Sequence, residues 1–169
     1  MILDFSKIKF IPGGRLDFQF QELLDPADYD LGDYTLPQPT FCQGQAVHQG
    51  DSFPVEGTYH SVAGLVCSRC GKPFTQPVSG TFSAVFAGSG QTDWDGERDL
   101  YELEGDLADL GPVLVDEIFF SLPMQPLCRA DCQGLCPICG ADLNEGRCSC
   151  RETEIDPRWD KLKDLLNQE

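Results

Sequence analysis

FCQGQAVHQGDSFPVEGTYHSVAGLVCSRCGKPFTQPVSGTFSAVFA, Phe41 to Ala87, is the stretch whose pattern sets the architecture. Its apolar positions are Val47, Val55, Tyr59, Val62, Leu65 and Val66, then Val78, Phe82, Val85 and Phe86. Turn signals fall at Gly50-Asp51 and around Gly71-Lys72-Pro73. Several short strands at this spacing predict an antiparallel sheet or an open barrel. Cys42 lies inside this strand-like run and reads as a small buried apolar residue.

Toward the N-terminus, Ile2 to Ser6 and Arg15 to Gln21 read as strands joined through Pro12-Gly13-Gly14. In the second, Leu16, Phe18 and Phe20 alternate with Asp17 and Gln19, the period of a half-buried strand. Residues 22 to 40, with four Asp and three Pro, read as an irregular crossing. Toward the C-terminus, Gly88 to Gly96 is a polar connector, and Leu100 to Glu104 alternates like one more strand. A helix then starts at Asp109-Leu110-Gly111-Pro112, with Asp109 as a cap and Pro112 in a first turn that loses no bond. Leu114, Val115, Ile118, Phe119 and Leu122 form its apolar stripe, and Pro123 and Pro126 end it. A last helix follows Asp156-Pro157, with Trp159, Leu162, Leu165 and Leu166 on one face. The fold class is α+β: a sheet or open barrel, one packed helix, a cysteine module and a terminal helix.

The module is LCRADCQGLCPICGADLNEGRCSCR, Leu127 to Arg151, which holds six of the nine cysteines. Cys136-Pro137-Ile138-Cys139-Gly140 carries thiols at i and i+3, a spacing that grips one tetrahedral ion, followed by a glycine that allows the tight turn. Cys67-Ser68-Arg69-Cys70-Gly71 repeats the same form. One partition joins Cys136, Cys139, Cys148 and Cys150 around one ion, and Cys67 and Cys70, with Cys128 and Cys132, around a second. A competing partition joins the two knuckles directly, or uses Cys128, Cys132, Cys136 and Cys139 alone. Without a secretory signal the pattern points to one or two Zn2+ ions rather than to disulfides. The alternative chemistry at Cys67 and Cys70 is thiol–disulfide exchange. A thioredoxin-like pair, however, stands between a strand and a helix, whereas Gly71-Lys72-Pro73-Phe74 leads toward a strand.

Twenty-eight acids face twelve basic residues, for a formal charge of −16. Seven acids and no Lys or Arg lie between Glu22 and Glu56; ten acids and only Arg98 lie between Asp93 and Glu117. Such a surface repels phosphates and lacks the basic stripe behind most nucleic-acid affinity. Any RNA contact belongs near Arg69, Lys72, Arg129, Arg147 and Arg151. No apolar run approaches the ~20 residues of a membrane span, and Met1 to Phe5 lacks the run of a signal peptide, so a cytoplasmic location is expected. His48 and His60 have no cysteine or serine at a telling spacing, and there is no phosphate-binding glycine loop, dinucleotide fingerprint or nucleophile elbow. No catalytic residues, small-molecule substrate or enzyme class are indicated.

Three features occur in order: Leu65-Val66-Cys67-Ser68-Arg69-Cys70; Leu110-Gly111-Pro112 to Leu122-Pro123, running into the segment Pro126 to Gly140; and Ile155-Asp156-Pro157-Arg158-Trp159. In these the sequence resembles the bacterial and plastid YceD family, the large ribosomal RNA subunit accumulation proteins, from about residue 40 onward. The resemblance implies a non-enzymatic ribosome biogenesis factor supporting accumulation of large-subunit (23S) ribosomal RNA. With the acidic stretches, it leads to a basic ribosomal protein or a large-subunit assembly intermediate as partner, with ribosomal RNA met at most indirectly. The rival reading is a structural zinc adaptor for a basic protein unconnected with ribosomes. The expected division is residues 1–126 as an α+β core and 127–169 as zinc module and terminal helix.

Overall fold

The computed structural model describes residues 1–29, 34–88 and 99–150. The terminal helix expected after Asp156, Arg151, and most of the connector beginning at Gly88 lie outside these residues. Among the described residues there are seven strands: β1 (Ile2–Asp4), β2 (Arg15–Glu22), β3 (Thr40–Val47), β4 (Ser52–Val66), β5 (Pro73–Ala87), β6 (Asp99–Glu102) and β7 (Leu107–Asp109). They are followed by α1 (Gly111–Ser121). The main sheet has the order β2-β3-β4-β5-β6, and β1 pairs antiparallel with β7 in a second, two-stranded sheet. The main sheet is open, with β2 and β6 at its edges.

The stretch from Phe41 to Ala87 forms the three central strands, and β4 and β5 build a hairpin of 15 residues on each arm. Its ladder runs from Ser52 opposite Ala87 to Val66 opposite Pro73. Strand periodicity sets which side chains are buried. On β4, Phe53, Val55, Tyr59, Ala63 and Leu65 are buried, whereas Glu56, His60 and Val66 face solvent. Leu16, Phe18 and Phe20 of β2 pack against the same core, as their alternation predicts. Phe18, Gly44, Gly57 and Phe82 form one row across four strands. A Cβ on Gly57 would stand 2.7 Å from the Phe82 ring and 2.4 Å from the Gln43 carbonyl oxygen, so glycine there admits the ring. Cys42 is wholly buried in β3, and burial pushes its thiol up to about 11.

β6 differs from the antiparallel expectation: it runs parallel to β5, with Ala84 opposite Asp99 and Ala87 opposite Glu102. A tight turn cannot join parallel neighbours, and eleven residues separate Ala87 from Asp99 in the sequence. α1 closes the core with Val113, Leu114, Val115 and Ile118. Phe119, expected in that stripe, is 40% exposed. Leu110 occupies the cap position, while Asp109 Oδ1 accepts from the Gly111 amide at 2.8 Å. Tyr34 donates to the Val115 carbonyl at 2.9 Å and Tyr101 to Asp116 Oδ2 at 3.2 Å, fastening the helix to the sheet side. Leu122, ahead of Pro123, is extended, as a residue before proline prefers, and the helix stops there.

Candidate metal centre

The first knuckle is the hairpin turn itself. One residue past the end of the β4–β5 ladder, the Cys67 amide donates to the Lys72 carbonyl at 2.9 Å and the Gly71 amide to the Cys67 carbonyl at 2.9 Å. The second knuckle repeats both bonds: Cys136 amide to Ala141 carbonyl at 2.8 Å, Gly140 amide to Cys136 carbonyl at 2.9 Å. Gly71 and Gly140 adopt φ of 69° and 72°, the left-handed region that glycine enters without steric cost.

The fold assembles the thiols in two sets of four. The sulfurs of Cys67, Cys70, Cys128 and Cys132 lie within 4.8 Å of one another, and so do those of Cys136, Cys139, Cys148 and Cys150. Cys67 and Cys132 sulfurs are 3.8 Å apart, as are those of Cys70 and Cys128. A zinc tetrahedron with Zn–S near 2.3 Å has sulfur–sulfur edges of about 3.8 Å, whereas a disulfide requires about 2.05 Å. None of the nine cysteines is in a disulfide. The donor set and spacing therefore fit a metal ion.

Electrostatics point the same way. Cys67 is held down at about 6, chiefly by the backbone amide of Cys128 and then that of Cys70. Cys136 is likewise lowered to about 6 by the amides of Cys139 and Ile138. The later cysteines move oppositely: burial, then hydrogen bonding to Cys67, pushes Cys128 up to about 12, and hydrogen bonding to Cys139, then burial, raises Cys150 to about 12. In each set one thiol ionises readily while another resists ionisation. A bound cation removes that resistance, since thiols ligate as thiolates.

The sets differ in exposure. In the first set Cys67, Cys70 and Cys132 form a small buried cluster with Phe74 and Leu127 packed against it, and Cys128 is exposed. In the second set Cys139 is exposed, and Cys148 and Cys150 are half-buried. Of the five basic residues proposed from sequence as RNA contacts, Arg69, Lys72 and Arg129 are engaged within the module, and Arg151 lies outside the described residues. Arg69 Nη1 donates to the Cys132 carbonyl at 2.8 Å, and Lys72 Nζ lies 2.7 Å from Asp142 Oδ2 and 2.6 Å from Glu145 Oε1. Arg129 Nη2 donates to Asn144 Oδ1 at 2.7 Å. Asn144 escaped the sequence reading, for a single asparagine in a polar loop carries no spacing signal. His48 bonds to the carbonyls of Ile11 and Gly50, and His60 packs near Phe41; neither joins a cysteine set. Elsewhere, an open groove of about 930 Å³ over β2–β5 includes Asp17, Glu56 and Glu117 in its lining.

Among the described residues, no helix is long and apolar enough to cross a membrane. Compared with known proteins, residues 55–166 match the family described as large ribosomal RNA subunit accumulation protein YceD. An uncharacterized protein of Mycobacterium tuberculosis is 33% identical over 117 residues, covering 68% of this chain and 56% of its own. The chain thus spans little more than half the length of that relative. An Arabidopsis thaliana protein named large ribosomal RNA subunit accumulation protein YCED homolog 1, chloroplastic, is 22% identical over 168 residues, covering 82% of this chain and 52% of its own. The uncharacterized protein YlbN of Bacillus subtilis is 25% identical over 158 residues, covering 92% and 91%. No solved structure matches the chain.

Proposed function

We propose that this chain, which belongs to the YceD family of large ribosomal RNA subunit accumulation proteins, is a non-enzymatic ribosome biogenesis factor whose two cysteine sets each hold one zinc ion. The observation that carries the reading is the extent of the family match: residues 55–166 take in the β4–β5 hairpin, α1 and all eight clustered cysteines. The names of the plant relatives supply the ribosomal RNA connection.

Within this reading the metals are structural. Bound zinc would offset part of the charge on four crowded sulfurs and cross-link the segments that carry them. Cys67 and Cys70 hold the far end of the sheet hairpin, and Cys128 and Cys132 hold the segment that leaves α1. The first centre thereby staples a core of residues 1–126 to a module of residues 127–169. The full-length action is cytoplasmic, on a large-subunit assembly intermediate, through a basic ribosomal protein. The acidic stretches favour that partner over bare RNA, because carboxylates repel the phosphate backbone and attract cationic side chains. Arg69, Lys72 and Arg129, three of the five basic residues nearest the cysteines, are engaged within the module rather than offered to phosphates.

Disulfide exchange is the weaker reading of Cys67 and Cys70, since their sulfurs sit in a four-thiol set at the turn of a β-hairpin. The test is co-sedimentation of tagged protein with ribosomal particles from lysate, with and without nuclease. Association with large-subunit precursors is expected, together with two zinc ions per chain by elemental analysis. Capture of a basic protein in the absence of any ribosomal particle would replace the ribosomal role with that of a zinc adaptor.

A further inference from the structure

Asn144 links the two cysteine sets. Asn144 lies in the loop between Cys139 and Cys148 of the second set, yet its carboxamide is directed at the first. Its Nδ2 donates to Cys132 Sγ at 3.5 Å and to Asp142 Oδ1 at 2.6 Å. Its Oδ1 accepts from the Gln133 amide at 2.8 Å and from Arg129 Nη2 at 2.7 Å. Both donor and both acceptor positions of the side chain are thus used. The loop that presents it is fastened to the first set from two sides. Leu143 donates to the Gly134 carbonyl at 3.0 Å, and Lys72, next to the first knuckle's glycine, pairs with Asp142 and Glu145.

We infer that Asn144 is a positioning residue for the first metal centre, supplied by the loop of the second, so that metal in the second centre slows loss of metal from the first. This rests on the reading of both sets as metal centres. Four thiolates around Zn2+ leave a net charge of about −2, and an N–H donor 3.5 Å from one sulfur offsets part of it. Aspartate has nearly the same shape but offers no donor and adds a negative charge at that distance. That is a reason for asparagine here in a chain with 28 acids. Cys139 and Cys148 bracket this loop, so emptying the second centre loosens both ends of the segment that carries Asn144 and leaves it held by the Leu143 and Lys72 bonds. Each set has one exposed thiol, Cys128 and Cys139, but the other three of the first set are buried whereas only Cys136 of the second is, so the second centre is the one that exchanges first.

The full chain, loaded with zinc under reducing conditions, is mixed with excess chromogenic chelator. Two equivalents should be released in a fast and a slow phase, with the slow phase assigned to the first centre by its absence in Cys70→Ser. Asn144→Asp should keep two equivalents and speed the slow phase about 10-fold or more, the scale of losing an outer hydrogen bond to a metal ligand. Cys139→Ser should carry one equivalent, and this should leave faster than the wild-type slow phase. Lys72→Gln, an exposed change, should act in the same direction and serves if Asn144→Asp folds poorly. Wild-type binding of fewer than two equivalents would reject the two-centre reading. Two equivalents in the wild type, with release from the first centre unchanged in Asn144→Asp, Cys139→Ser and Lys72→Gln, would reject the coupling alone.

Discussion

The Cys67 amide and the Lys72 carbonyl meet at 2.9 Å directly beyond the Val66–Pro73 pair, so a candidate metal knuckle closes the longest hairpin of the sheet. A ligand lost there is also a turn lost. Cys70→Ser should lower bound zinc from two ions to one per chain, by elemental analysis. Amide exchange should quicken at the Leu65–Phe74 end of the hairpin and stay slow at Val55 and Ala84, in the middle of the sheet. An unchanged metal count would remove Cys70 from the ligands. A disulfide reductase activity that disappears in the variant would favour redox chemistry instead.

Gly57 tests the sheet independently of metal. With Phe82 and the Gln43 carbonyl in the way of any side chain, Gly57→Val must displace the ring or open the β3–β4 ladder. Overpacking of this kind costs about 1–3 kcal/mol, read as a lower urea midpoint. Gly88→Ala, with nothing within 4 Å of the added carbon, is the control and should leave the midpoint nearly unchanged.

Cys42 makes stability depend on alkaline pH. Its folded thiol is raised to about 11 by burial, against about 8.5 in an unfolded chain. Its contribution is therefore intact below about 8.5 and is lost as pH rises toward 11. Between pH 8 and 10.5 the urea midpoint of the wild type should fall more than that of Cys42→Ala, by at most about 2 kcal/mol in stability. Parallel curves for the two proteins would mean that this thiol does not titrate with unfolding.

Partner charge is tested at Glu102 and Glu104, both exposed. Replacing both with Gln should slow association with a basic ribosomal protein and leave thermal stability nearly unchanged, because surface charges steer encounter and stabilise little. Added salt should weaken the same complex. Asp106 differs, for Lys9 Nζ donates to its Oδ1 at 2.7 Å, so Asp106→Asn disturbs an internal pair as well. Tight binding to protein-free large-subunit RNA at physiological salt, insensitive to Glu102 and Glu104, would overturn the charge argument.

Much of the architecture follows from local repetition. The period-two pattern of Leu16, Phe18 and Phe20 puts them on the core side because successive side chains of a strand point to opposite faces. Gly71 and Gly140 mark turns because positive φ suits a residue without Cβ, and Pro112 and Pro123 bracket α1 through the geometry of their own rings. These effects act within a few residues, so the sequence alone determines them. It also brings sulfurs together two by two, because i and i+3 are neighbours in any tight turn. Which pairs share a set of four was decided in space, where the β4–β5 hairpin carries Cys67 and Cys70 to Cys128 and Cys132, some 60 positions away. The parallel docking of β6, the outward turn of Val66 and Phe119, and the reach of Asn144 to Cys132 have the same origin. Each depends on how distant segments pack once the chain is closed, and no local period encodes that.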